Sequence, residues 1–269
     1  MRNRQVRKPL RSVAAPVYRT RYTAPKKPMQ VRNIVRPIIY IFITGLVIWW
    51  VFLSGFFSVR EINVKGNKTA SAEEVREQLT KLMNSSVVGK NIIFIDTNKL
   101  AGQYAEKNPQ LGNIKIKKKF LNTIEVSMVE RQPSLIWKSG NTSYVLSEDG
   151  RAFSQWEGGN TELSIVTDST NLPVTLGQQV VPASFIAFAR QLIAQLNAQN
   201  IAYDGISVPE TTSEIYVKTK AGYLLKFDST RPVEDQIADL KAVLASLAKQ
   251  KKKPNEYIDL RISGKVFYK

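Results

Sequence analysis

One uncharged apolar run, from Ile38 to Phe57, constrains this chain more than any other feature of its sequence. Its 20 residues would extend about 30 Å as an α-helix, which is the thickness of a bilayer's hydrocarbon core. The run is longer than the apolar region of a cleavable signal peptide, the alternative interpretation, and it does not end in a small-residue cleavage site. We therefore predict one uncleaved transmembrane helix over residues 37–57.

Positive charge is concentrated before this run. Residues 1–36 contain 11 Lys or Arg and no Asp or Glu, so they supply +11 of the total net charge of +17. By the positive-inside rule, this tail stays in the cytoplasm and the rest of the chain is exported. Its prolines and scarce bulky apolar residues predict disorder. The tail either sets the topology and attracts anionic lipid, or it binds a cytoplasmic partner.

Charge and composition also exclude several function classes. The remaining residues carry 28 Lys or Arg against 22 Asp or Glu, and they lack the basic stripe with a reading motif that nucleic-acid binding requires. The chain has no Cys and no His, which excludes disulfides, thiol nucleophiles, imidazole bases and the usual zinc and copper sites. We therefore predict no nucleic acid, no small-molecule substrate, no metal and no cofactor.

A membrane-anchored Ser/Lys peptidase is the enzymatic alternative, because such an enzyme needs neither Cys nor His. The segment Ser127-Met128-Val129-Glu130 lacks the Ser-x-Met-x-Pro pattern of signal peptidases and lies in the middle of a predicted strand. A catalytic lysine must also be desolvated enough to be neutral, whereas the lysines here fall on polar faces. We therefore predict that the chain is not an enzyme.

Residues 58–130 have the pattern of a strand, two helices and two strands. Val59–Val64 is a predicted strand, and Ser71 with Glu74 forms a capping box at the start of a helix. A second helix is predicted from Asp96 or Thr97 to the residues before Asn108-Pro109. A hairpin follows, with strands at Ile114–Lys117 and Ile124–Glu130. Lys115, Lys117, Lys118 and Lys119 are expected on its solvent face, although contact with anionic lipid or wall polymer is an alternative.

Residues 131–269 have a mixed pattern of short strands and two amphipathic helices, which predicts a second α+β domain. The helices are predicted from Pro182 to about Asn200 and from Pro232 to an end within Lys249–Lys253. The strands are predicted at Ile136–Trp137, Ser143–Leu146, Arg151–Phe153, Ile206–Val208, Glu214–Thr219, Tyr223–Phe227, Tyr257–Ile262 and Val266–Tyr268.

Five segments in order resemble the FtsQ/DivIB family of bacterial cell division proteins, which carry a polypeptide-transport-associated (POTRA) domain. Phe56–Leu79 resembles the opening of the POTRA domain, and Glu130-Arg131-Gln132-Pro133 with Trp137 resembles the junction into the family's β-rich domain. The other three segments lie in that second domain. They are Ser147–Phe153, Leu172-Pro173-Val174 with Gly177, and Tyr257–Arg261.

This resemblance implies an α+β architecture with a disordered cytoplasmic tail (1–36), one transmembrane helix (37–57), a POTRA domain (58–130) and a mixed β-sheet domain with helices (131–269). It also implies a single-pass, non-catalytic scaffold in the cell membrane at the division septum. Such a scaffold would link early and late divisome proteins and recruit an FtsB/DivIC-like and an FtsL-like coiled-coil protein. An envelope scaffold or polypeptide-transport accessory outside division is the alternative, because one POTRA copy does not identify the pathway.

In similar proteins the partner adds a strand to the last strand of the second domain. By this resemblance the partner-binding residues are those of the final turn and strand. An alternative is that Ile258 and Leu260 only close the core and that Val266–Tyr268 fray. The partner-binding residues implied are Arg261, Ile262, Ser263, Gly264, Val266, Phe267 and Tyr268.

Overall fold

The computed structural model describes residues 31–53, 55–68, 70–85, 89–120 and 122–269. Its first element is helix α1, Val31–Leu53. Within it, Val35–Phe52 is long and apolar enough to cross a membrane, and its side chains are mostly exposed. Most of the predicted tail, residues 1–30, lies outside the described residues.

The bounds of helix α1 differ from those predicted at both ends. The helix begins at Val31 and contains Pro37. Proline lacks the N–H that a residue inside a helix normally donates, but transmembrane helices tolerate this loss. Residues 31–36, assigned to the tail, are therefore helical. The helix ends at Leu53 rather than at Phe57, and Gly55 beyond it adopts a left-handed conformation with φ of 66°.

The next unit, Glu61–Glu130, has the predicted order of strand, helix, helix, strand and strand. Its sheet has the order β1-β3-β2, in which β3 is central. Strand β1 runs parallel to β3, whereas β2 and β3 form an antiparallel hairpin. The elements are β1 (Glu61–Lys65), α2 (Ala72–Asn84), α3 (Thr97–Lys107), β2 (Leu111–Lys119) and β3 (Thr123–Glu130).

Side chains cap both helices of this unit where the sequence predicted. The Ser71 hydroxyl accepts a hydrogen bond from the Glu74 N–H at 3.1 Å, and Asp96 accepts bonds from the first N–H groups of α3. These bonds satisfy backbone donors that have no partner inside a helix. The buried faces of α2 and α3 then pack on one face of the sheet, around Val75, Leu79 and Val126. The four lysines of β2 are exposed, as expected.

The third unit, Pro133–Tyr268, contains one mixed sheet of nine strands in the order β12-β11-β10-β9-β8-β7-β4-β5-β6. Strand β7 was not predicted; it pairs in parallel with both β4 and β8. The strands are β4 (Pro133–Ser139), β5 (Thr142–Ser147), β6 (Ala152–Gln155), β7 (Ile165–Asp168), β8 (Tyr203–Val208), β9 (Glu214–Thr219), β10 (Leu224–Asp228), β11 (Tyr257–Asp259) and β12 (Phe267–Tyr268).

Two helices, α4 (Ala183–Ala198) and α5 (Val233–Lys249), complete this unit. Their buried side chains pack into one core with alternate residues of the strands, including Phe185 and Phe227, which are almost fully buried. Burial of such a side chain contributes about 1.5–3 kcal/mol. The structure confirms the predicted α+β fold class, with one apolar helix, a β-α-α-β-β unit and a mixed sheet with helices.

Candidate functional site

Strand β12 forms one edge of the nine-stranded sheet. It pairs antiparallel with β11, with Ile258 opposite Tyr268 and Asp259 opposite Phe267. At the other edge of the sheet, Ala152 of β6 exchanges backbone hydrogen bonds with the Gly177-Gln178 segment. In the described part of the chain, no strand pairs with the outer side of β12.

The hydrogen bonds of β11 determine which backbone groups of β12 face outwards. The Lys269 N–H donates to the Tyr257 carbonyl at 3.1 Å, and the Tyr257 N–H donates back to Lys269. Because bonded and non-bonded pairs alternate along an antiparallel ladder, Phe267 also points its N–H and C=O groups towards β11. Those of Tyr268 point away from the sheet, and so they are available to an added strand.

The predicted partner-binding residues lie together, at this edge and in the turn before it. Ile262, Ser263 and Gly264 form an exposed turn, in which the Lys265 N–H donates to the Ile262 carbonyl at 3.2 Å. Gly264 has a φ of 69°, a conformation that glycine adopts without steric cost. The turn therefore directs the chain back along β11.

The side chains of the last strand alternate between the two faces of the sheet. Val266 is half-buried and packs against the core beneath the sheet. Phe267 lies on the opposite face and remains 50% exposed, while Tyr268 remains 46% exposed. The edge therefore offers an aromatic side chain on each face beside the free backbone groups.

Arg261 is bound within the protein. Its guanidinium donates to the Asp259 carboxylate at 2.9 and 2.6 Å and to Glu214 at 2.7 Å. The hydrogen bonds to Asp259, above all, raise the pKa of Arg261. Burial by itself would raise the pKa of the Asp259 carboxyl, but hydrogen bonds from the Arg261 side chain and backbone hold it below its ordinary value. Arg261 thereby fixes the start of the turn to β9 and β11.

An aromatic and charged cluster on the same open face was not predicted as part of the site. The Lys226 ammonium lies 4.4 Å from the ring centroid of Tyr257 and 5.4 Å from that of Tyr216. The Tyr216 hydroxyl donates to Glu214 at 2.8 Å, so this cluster is continuous with the Arg261 ion pairs. The sequence did carry one signal for this cluster. Polar and apolar residues alternate along β9, which places Glu214 and Tyr216 on the face opposite the buried Ile215.

Ser127, the serine of the peptidase alternative, lies between two lysines. The register places Lys65 of β1 and Lys115 of β2 directly opposite it. Both lysine side chains are exposed, and the Lys65 ammonium forms an ion pair with Glu125 at 2.6 Å. Neither lysine is the desolvated, unpaired amine that Ser/Lys catalysis requires. The geometry therefore opposes Ser/Lys catalysis at this position.

Two models of one protein family match the chain in succession. The POTRA domain, FtsQ-type, matches residues 57–131. The model of the cell division protein FtsQ/DivIB, C-terminal, matches residues 135–261. This second match includes Arg261 and ends there, before the last strand.

Curated relatives carry the same two names. The chain is 30% identical over 95 residues to the cell division protein DivIB of Clostridium acetobutylicum, which is 35% of this chain and 36% of that protein. It is 23% identical over 231 residues to the cell division protein FtsQ of Chloroflexus aurantiacus, covering 85% of this chain and 79% of that protein. The chain spans less than half the length of the clostridial DivIB relatives that it matches. Together with the two consecutive family models, these relatives show that the chain belongs to the FtsQ/DivIB family of cell division proteins.

Proposed function

We propose that this protein is a non-catalytic scaffold of the divisome that links early and late cell division proteins. It recruits an FtsB/DivIC-like and an FtsL-like coiled-coil protein by β-strand addition at β12. Membership of the family supports the role in division, and the open edge at β12 supports the mode of binding. The observation that carries the proposal is the outward direction of the Tyr268 N–H and C=O groups at the edge of the nine-stranded sheet.

Strand addition uses the backbone for affinity and the side chains for specificity. An added strand bonds to Tyr268 and places its own side chains beside Phe267 on the open face and beside Val266 and Tyr268 on the other face. Arg261 contributes indirectly, because its guanidinium already binds Glu214 and Asp259. The exposed turn at Ile262–Gly264 then contacts the chain that leads into the added strand.

The proposed topology follows from the charge distribution and the apolar helix. Residues 1–36 stay in the cytoplasm, α1 crosses the cell membrane once, and the POTRA domain (58–130) and the β-rich domain (131–269) lie outside the cytoplasm. The tail carries 11 Lys or Arg and no acidic residue, which favours retention on the cytoplasmic side. The proposed location is the division septum.

A proline at position 268 tests strand addition without breaking the pair that β12 makes with β11. Tyr268→Pro removes the outward N–H, whereas the bonds between β12 and β11 use Phe267 and Lys269. Loss of this donor leaves a carbonyl of the partner unpaired, at a cost of about 1–3 kcal/mol, so co-purified coiled-coil partner falls about 5- to 150-fold. Tyr268→Ala is the matched control, because it removes the side chain but keeps the N–H. Equal binding by the proline and alanine variants contradicts strand addition.

The location of the protein in the cell distinguishes a role in division from a role elsewhere in the envelope. A fluorescent fusion of the full chain is expected to collect at midcell during constriction. Uniform fluorescence around the envelope would instead support the scaffold or transport accessory outside division. This result is independent of the proline test, because a protein can reach midcell through its other domains.

A further inference from the structure

One end of the POTRA domain brings together three pieces of chain. The Arg60 N–H, just before β1, donates to the Asn122 carbonyl in the β2–β3 turn at 2.9 Å. The Ile92 N–H donates to the Phe57 carbonyl at 2.8 Å. The start of β1, the tip of the β2–β3 hairpin and the turn at Asn91–Phe94 therefore lie side by side. This end of the domain is the one that follows helix α1 in the chain.

The turn at Asn91–Phe94 is bound to the last turn of helix α1. The Asn91 side-chain amide donates to the Val51 carbonyl at 2.7 Å. The rings of Phe52 and Phe94 stack with their centroids 4.6 Å apart. Even in this contact Phe94 remains 42% exposed. Phe52 is the last residue of the apolar stretch that is long enough to span a membrane, so Phe94 contacts the end of that stretch.

The hairpin tip adds exposed apolar and cationic side chains at the same level. Phe120 is 84% exposed, and the neighbouring Ile93 is also exposed. The Lys118 ammonium donates to the Ile93 carbonyl at 3.0 Å, which ties the tip to the turn. Lys90 and Lys119 are exposed beside them, and the Lys119 ammonium also lies 3.2 Å from the Glu125 carboxylate. We call this set the rim: Lys90, Ile93, Phe94, Lys118, Lys119 and Phe120.

Exposed aromatic side chains flanked by lysines are typical of a surface that binds the membrane interface. The apolar parts enter the boundary between headgroups and acyl chains, while the lysines attract anionic lipid. Water is an unfavourable environment for an aromatic ring as exposed as that of Phe120. The covalent link to α1 keeps the rim near the bilayer, so docking costs little further entropy.

We propose that the rim docks the POTRA domain onto the anionic phospholipid bilayer that helix α1 crosses. Phe120 and Phe94 insert at the level of the headgroups, and Lys90, Lys118 and Lys119 bind lipid phosphates. Docking fixes the orientation of the POTRA domain on the membrane. It depends on α1 spanning the bilayer and does not depend on partner recruitment at β12.

The natural absence of cysteine allows a direct test with the full chain. A spin label is attached to Phe120→Cys, and the protein is placed in nanodiscs with about 30% phosphatidylglycerol in phosphatidylcholine. We expect the label to be more accessible to oxygen than to a water-soluble nickel complex, which indicates insertion. A label at Asn141→Cys, in the exposed β4–β5 turn, should remain in water.

Two pairs of lysine substitutions on one strand test the electrostatic part. Lys118→Gln with Lys119→Gln removes two charges from the rim, so the ratio of inserted to aqueous label should fall about thirtyfold. Lys115→Gln with Lys117→Gln removes two charges from the same strand but farther from the tip. We expect this control pair to change the ratio less than about threefold, because the attraction declines within a Debye length.

Three results would overturn the proposal. The first is a Phe120 label that stays in water in anionic nanodiscs, including one that becomes buried only when the coiled-coil partner is added. The second is equal insertion in pure phosphatidylcholine. The third is an equal effect of the two lysine pairs, which would indicate general charge rather than a rim.

Discussion

The guanidinium of Arg131 donates hydrogen bonds to both oxygens of the Asp149 carboxylate, at 2.7 and 2.6 Å, across the junction between the POTRA and β-rich domains. Its Nε also donates to the Pro109 carbonyl at 3.2 Å, on the POTRA side. The Arg131 side chain is only 13% exposed. The Arg131 side chain therefore bonds to both the segment after α3 and the β5–β6 turn.

We expect Arg131→Ala to lower the free energy of unfolding by about 1–2 kcal/mol, since it removes charge-assisted bonds and leaves the Pro109 carbonyl without its donor. The value is at the lower end because Asp149 is half exposed. Denaturant unfolding of the full chain in detergent measures the loss. Arg190→Ala is the control. Arg190 forms an ion pair with Glu148, the residue before Asp149, and both side chains are exposed. Loss of this pair should lower the free energy of unfolding by less than about 0.5 kcal/mol. Equal losses in the two variants would contradict the role of Arg131 as a junction residue.

Gly150, in the same turn, should not tolerate a side chain. Its φ is 76°, and a Cβ added there would collide with the Val181 carbonyl oxygen. We expect Gly150→Ala to destabilise the β-rich domain by about 3 kcal/mol or more, because backbone strain and a steric clash add. Gly222→Ala isolates the strain: Gly222 has a φ of 98°, but a Cβ added there would meet no atom within 4 Å. Its expected cost is about 1 kcal/mol, measured by the same unfolding experiment, and an equal cost for both would refute the clash.

Local signals in the sequence were sufficient for the elements that one segment specifies. Ser71, Asp96 and Asn108-Pro109 marked the ends of α2 and α3, because capping and termination involve neighbouring residues. Strand β7 was missed because Ile165–Asp168 is short, and its parallel partners β4 and β8 are distant in the sequence. Arg131 and Asp149 both lie in segments that resemble the family, yet their contact depends on the packing of two domains.

The free energy of unfolding should depend on pH because Asp259, near the β12 edge, ionises. The pKa of its carboxyl is lowered in the folded protein, so the ionised form stabilises the fold. This contribution is fully present above the ordinary pKa of about 4 and is lost as the pH falls through the lower folded-state pKa. The difference in unfolding free energy between wild type and Asp259→Asn should therefore be constant from about pH 5 to 7 and shrink below about pH 4. A difference that grows towards acid would contradict this account.

The candidate site was only partly accessible from the sequence. The turn and last strand were located by resemblance, since the residues alone do not reveal which strand lies at an edge. The cluster of Tyr216, Lys226 and Tyr257 could not be assembled, because it joins three strands whose order depends on the parallel β10–β11 pairing. Helix α5 separates these two strands in the sequence, so no local pattern predicts that they pair.

Amide hydrogen exchange at Tyr268 tests the central claim, strand addition at β12, most directly. In the free protein the outward Tyr268 N–H should exchange rapidly, whereas the Phe267 N–H, directed towards β11, should exchange more slowly. Saturation with the FtsB/DivIC-like and FtsL-like pair should slow exchange at Tyr268 more than about tenfold and change Phe267 less. Unchanged exchange at Tyr268 in a saturated complex would contradict strand addition.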